Sequence, residues 1–176
     1  DNEVVDYIGS ALTWFSMGYK PFEGHRVPFG KEVEADVLFG TGAAMFVRRS
    51  VYLQLEGFDE RFFMFFEDVD FGWRLNLLGH RFVYQPRSLA FHKHHASMSA
   101  FGSYKETYLL ERNALFALYK NLGEHSLTKV LPAALTLAVR RGIAKGQLDS
   151  TGYDLRKGDD DSVELAEIPK TTVATF

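Results

Sequence analysis

Residues 57–74 read Gly-Phe-Asp-Glu-Arg-Phe-Phe-Met-Phe-Phe-Glu-Asp-Val-Asp-Phe-Gly-Trp-Arg, which sets seven aromatics around five carboxylates. A carboxylate held against apolar walls has its pKa moved towards working pH, which is what a general base needs. Helix capping is the plainer reading. Asp68 and Asp70 would then sit in a first turn, where acids complement free N–H groups and the helix dipole. The two readings are compatible. A second group follows at His92 and His94, spaced i, i+2 so that a continuing strand would put both on one face, with His95 pointing away. Neutral imidazoles so placed suit Zn²⁺ well and Mn²⁺ moderately. On spacing alone, an ordinary loop role competes with a metal role.

The elements that would position these residues follow from periodicity. Phe71, Leu75 and Leu78 fall at i, i+4, i+7 and predict a helix beginning near Glu67. Asp70 and Arg74 can pair along it. Gly79 is placed to end it, because glycine reaches the left-handed conformation without strain. Upstream, Val37 to Val47 reads as a buried strand interrupted by Gly40 and Gly42, which suggests a bulge or a close backbone approach. Its Gly-Thr-Gly lacks the remaining spacing of a dinucleotide or phosphate loop. Ser50 to Glu56 reads as a short helix ending at Gly57. Downstream, Arg81 to Tyr84 alternates as a strand stopped by Pro86, and Leu89 to His92 reads as a second short strand.

The run Gly57-Phe58-Asp59-Glu60, then Phe62-Phe63, Glu67-Asp68-Val69-Asp70, Arg74 and Gly79 resembles the second half of a family-2 glycosyltransferase with the GT-A fold. It is most similar to bacterial rhamnosyl- and galactofuranosyl-transferase-like members that build cell-envelope polysaccharide. The resemblance spans roughly Asp36 to Asn121. It implies an α/β (α+β) fold: a short mixed sheet with flanking helices and a C-terminal helical pair. It implies Asp68 as the general base of an inverting transfer. It also implies a substrate wall from Glu67, Thr41, Gly42 and Trp73, with the Gly-Thr-Gly segment passing under the transferred sugar. His92 becomes the ligand of a divalent metal, Mn²⁺ or Mg²⁺, bound with the nucleotide-sugar donor, while His94 and His95 are left to support it or to lie in the loop. Arg48 and Arg49 could meet a donor diphosphate, although solvated helix-start residues are the plainer reading. The acceptor would be a glycan or a lipid-linked sugar.

The chain divides into a connecting and acceptor-loop region (1–35), a catalytic half (36–123), a C-terminal helix (124–145) and a polar tail (146–176). Within the first region, Val4 to Phe15 reads as a strand and loop, and Met17 to Gly30 as an irregular surface loop. Tyr104 to Leu122 predicts a helix with a stripe of Tyr108, Leu115, Leu118 and Leu122, broken by polar Glu111-Arg112-Asn113 and ended by Gly123. A second helix is expected from Leu127, capped by Ser126, to about Arg141, with Pro132 kinking it or opening its main segment. Its stripe would be Leu127, Leu131, Leu135 and Val139. Lys129, Arg140, Arg141 and Lys145 make it compatible with an anionic membrane surface as well as with packing on the preceding helix. Asp159-Asp160-Asp161 is like the acidic metal motif of glycosyltransferases, but no apolar strand leads into it, so it reads as solvated tail.

The 176 residues suffice for one core, with 46% hydrophobic and 24% charged residues. A net charge of −3 points away from nucleic acid, and the absence of cysteine removes disulfides and thiolate chemistry. Neither a signal peptide nor a span-length apolar run stands out. The expected location is cytoplasmic, or the inner face of the plasma membrane, and both peripheral membrane contact and a homo-oligomer remain compatible. No nucleotide-binding half or acidic metal motif precedes Asp36. The expectation is therefore part of a larger transferase, inactive alone without a donor-binding half. Two rivals stay open: a non-catalytic glycan-binding or scaffold module, and a hydrolase using His92, His94 and a carboxylate of the Glu67–Asp70 group.

Overall fold

An eleven-residue helix, α2 (Glu67–Leu77), lies at the junction of three apolar clusters. Val69 joins Phe39, Phe62, Phe66, Ala114 and Ala117. Trp73 packs against Phe15, Leu118 and Ala134. Phe71 and Leu75 pack with Leu55 and, around it, Val51, Tyr52 and Phe82. The expected Phe71–Leu75 face is thus a core face, while Leu78 caps the C-terminus and is exposed. Gly79 follows at φ +79°. These features come from a computed structural model that describes residues 5–19, 33–91 and 102–146.

The remaining elements, in chain order, are β1 (Ala11–Leu12), β2 (Gly18–Tyr19), β3 (Ala35–Val37), α1 (Arg49–Gln54), a 3-10 turn (Glu60–Phe62), α2, β4 (Phe82–Tyr84), α3 (Gly102–Asn121) and α4 (Glu124–Gly146). The class is mixed α/β. In place of one mixed sheet, the described strands form two antiparallel pairs, β1 with β2 and β3 with β4. The second has Ala35 opposite Tyr84, Asp36 opposite Val83 and Val37 opposite Phe82. An exposed Arg81–Asp36 ion pair lies beside it at 2.9 Å.

The strand expected over Val37 to Val47 stops at Val37. Beyond it, side chains rather than a ladder take the carbonyls. Asn76 donates its amide to Leu38 O at 2.8 Å, and the hydroxyls of Tyr7 and Ser10 both donate to Phe39 O. A Cβ on Gly40 would lie 2.5 Å from the Phe82 ring, and one on Gly72 would lie 2.5 Å from Phe39 Cβ. Residues 38–40 are therefore pressed onto α2 and β4 in irregular form. The strand expected over Leu89 to His92 is also absent from its described part: Leu89 and Phe91 stand in solvent without a ladder.

The helical pair forms as the periodicity predicts, with shifted bounds. α4 begins at Glu124, three residues before the expected start, and runs through Pro132. Its packing row is Leu127, Val130, Ala134 and Leu137. The expected row at strict i+4 spacing drifts by about 40° per step, which carries Leu135 and Val139 round to solvent. On α3, Leu118 is buried, whereas Tyr108 is exposed.

Candidate functional site

Asp59 opens the approach to α2. Its carboxylate accepts from Arg61 N at 3.0 Å and from the Arg61 guanidinium at 2.9 and 2.6 Å. Arg61 foremost, with Lys120 adding to it, holds this acid well below the usual carboxylate range. After the 3-10 turn the backbone takes positive φ at Phe63, Phe65 and Phe66 (63°, 66° and 68°). Such values are uncommon for bulky residues and cost energy unless the surroundings impose them.

The surroundings here are two adjacent residues of α3. The buried Asn113 amide donates to the carbonyls of Phe62 (3.0 Å), Met64 (2.7 Å) and Phe65 (2.7 Å). Arg112 donates to Arg61 O (3.0 Å) and Phe62 O (2.8 Å), and its Nε donates to Asn113 Oδ1 (2.9 Å). A loop that turns back on itself points carbonyls inward, and these side chains satisfy them. Phe66 then becomes the left-handed N-cap of α2.

The turn delivers Glu67 and Asp68 to the first turn of α2. Asp68 Oδ2 accepts from Gly42 N at 2.9 Å, and Oδ1 accepts from Val69 N at 2.8 Å. A Cβ on Gly42 would lie 3.8 Å from both Asp68 Oδ2 and Glu67 Oε1, so the glycine faces both acids. Thr41 folds its own loop: its carbonyl accepts from Ala44 N at 3.1 Å and its Oγ1 from Ala43 N at 3.3 Å. Glu67 Oε2 is buried without a hydrogen-bond partner. Burial, and then the charge of Asp68, push the Glu67 carboxyl up from its ordinary value. Tyr7 is pushed up to about 12, mainly by burial, with the Asp68 charge contributing; it stays protonated and donates to Phe39 O.

The structure therefore gathers Asp68, Glu67, Gly42 and Thr41 at one place. Trp73 is not among them. Five residues on, it lies about 140° around the helix from Asp68 and packs into the Phe15–Leu118–Ala134 cluster. Its expected substrate contact therefore does not share the place of the acid pair. Arg48 and Arg49 are exposed at the start of α1. His92, His94, His95 and Asp159–Asp161 lie outside the described residues. Among the described residues no three of His, Cys, Asp and Glu are grouped to hold a metal ion, and both Asp68 oxygens are engaged by backbone N–H groups. The described residues thus do not fit a metal centre by themselves.

Sequence reasoning did not assign Tyr7, Arg112, Asn113 or Lys120. Arg112-Asn113 was visible as a polar break in an apolar helix. Tyr7 and Lys120 left no pattern. Lys120 joins Asp59 (2.7 Å) to the fully buried Asp70 (2.9 Å). Arg74 also pairs with Asp70 at 2.8 Å and donates to Leu55 O and Gly57 O. A cavity of about 610 Å³ opens beside these groups, lined by Gly57, Asp59, Arg61, Leu77 and Lys120 among others. It borders the C-terminal half of α2, whereas the acid pair lies at the N-terminus. Its cations are already matched to Asp59 and Asp70, so the chemistry is assigned to the acid pair.

A sequence-family profile described as "Glycosyltransferase like family 2" matches residues 23–118, more than half of the chain. The chain is similar to an N-acetylglucosaminyl-diphospho-decaprenol L-rhamnosyltransferase of Mycobacterium tuberculosis, 47% identical over 58 residues. That stretch is 32% of this chain and 19% of the relative. It is also similar to the rhamnosyltransferase WbbL of Escherichia coli, 43% identical over 61 residues, which is 34% of this chain and 23% of the relative. The matched stretch thus spans less than a quarter of either relative's length. No solved structure matches the chain.

Proposed function

Because the chain belongs to glycosyltransferase-like family 2, we propose that it carries the base-bearing part of an inverting sugar transfer in cell-envelope glycan synthesis. The donor is a nucleotide-sugar and the acceptor a glycan or a lipid-linked sugar. The names of the two relatives point to a rhamnosyl group, and one of them to a diphospho-prenol-linked acceptor. The observation that carries the reading is the Glu67–Asp68 pair, fixed in the first turn of α2 against Gly42 N.

In this reading Asp68 takes the proton of the acceptor hydroxyl as its oxygen attacks the anomeric carbon. The bond from that carbon to the nucleotide diphosphate breaks, and its electron pair leaves on the diphosphate oxygen. Attack opposite the leaving group inverts the configuration. Two backbone N–H donors hold the carboxylate in one direction before the acceptor arrives, the preorganisation that general-base catalysis rewards. Gly42 leaves room for a sugar hydroxyl beside both acids. The expected metal rests on His92, and no step here is routed through it.

The test is Asp68→Asn in the protein, assayed with a nucleotide-rhamnose and a prenyl-diphosphate-linked acceptor. Turnover should fall by about 10²- to 10⁴-fold with the circular dichroism spectrum unchanged. Undiminished transfer would falsify the assignment and favour a non-catalytic module.

A further inference from the structure

α4 has two unlike faces. One packs through Leu127, Val130, Ala134 and Leu137, and Arg141 on that side turns in to Glu111 at 2.6 and 2.7 Å. The other presents Leu135, Val139 and Ile143, which are 46%, 62% and 54% exposed. At 100° per residue these three fall within an arc of about 80°. The exposed Lys129 and Arg140 lie about 120–140° round from Leu135, along one edge of that strip. Between His125 and Gly146 the helix carries Lys129, Arg140, Arg141 and Lys145 and no Asp or Glu, in a chain whose net charge is −3.

We propose that this strip of α4 docks the protein on an anionic lipid bilayer. Leu135, Val139 and Ile143 enter the boundary between headgroups and acyl chains, and Arg140 and Lys129 meet the lipid phosphates. An apolar strip edged by cations is the pattern of a helix lying in a membrane surface. The geometry argues for lying and not crossing, since no described helix is long and apolar enough to span a membrane. Charge argues against a second copy on the same strip, because α4 carries one acid, Glu124, against Lys129, Arg140, Arg141 and Lys145, so pairing two strips would set mostly cation against cation. The proposal does not depend on the sugar-transfer reading.

The experiment is co-sedimentation of the chain with vesicles of phosphatidylcholine alone, or containing about 30% phosphatidylglycerol. Binding should require the anionic lipid and weaken as salt is raised. Arg140→Gln should weaken it about fivefold. The double change Leu135→Gln with Val139→Gln should weaken it about tenfold or more. The three substituted positions are solvent-facing, so circular dichroism should stay unchanged. Equal binding to both vesicle types, undiminished binding by the double variant, or lipid-free dimerisation that the double variant abolishes would overturn the proposal.

Discussion

Glu67 and Asp68 are neighbours in the chain but meet different surroundings. Asp68 is oriented by Gly42 N and Val69 N, whereas one Glu67 oxygen is buried with no partner. An acid whose folded pKa is raised binds its proton more tightly in the folded state. Its contribution is most favourable below the ordinary value of 4.5 and is lost as pH rises through the folded value. Glu67→Gln should therefore be more stable than the parent at pH 7, with the gain disappearing below about pH 4. Urea melts across that range read this directly, and equal midpoints at pH 7 would refute it. The pair was legible in the sequence because acids among aromatics, ahead of a helical period, are a local pattern. Tyr7 was not, because it reaches the site only by the folding of residues 38–40 onto α2. The packing of Trp73 was hidden for the same reason: its neighbours Phe15, Leu118 and Ala134 come from remote parts of the chain.

The elements were legible where period decides and illegible where side chains replace a ladder. Both long helices follow from their spacing. The turn from Phe62 to Phe66 does not, since nothing local favours positive φ at three phenylalanines; the hydrogen bonds from α3 impose it. Asn113→Ala should leave carbonyls of that turn unsatisfied and cost about 2–3 kcal/mol, read as a lowered urea midpoint. Asn113→Asp keeps the shape but offers acceptors to carbonyl oxygens, so it should be at least as damaging. A milder effect of the aspartate would mean that packing, not donation, holds the turn.

At the scale of the whole molecule, α2 is the shared wall of three clusters, and residues 38–39 cross it closely at Gly72. A methyl there would stand 2.5 Å from Phe39 Cβ and 2.7 Å from Phe39 Cα. Helix propensity favours alanine by about 1 kcal/mol, but overpacking of this kind costs about 1–3 kcal/mol. Gly72→Ala should therefore destabilise. A Cβ added at Gly142, also helical, would meet nothing within 4 Å, so Gly142→Ala should stabilise by up to about 1 kcal/mol. Thermal melts of the two variants should move in opposite directions, and a shared sign would overturn the account of α2 packing. Sequence alone marked neither glycine, because the distinction depends on which backbone crosses the helix. The bonds from Asn113 to the acidic turn bridge 48 to 51 positions of chain. During synthesis the two acids leave the ribosome well before α3, which carries the donors to the carbonyls of the turn leading into them. The turn that delivers the acids thus gains its full set of hydrogen bonds only once translation has passed α3.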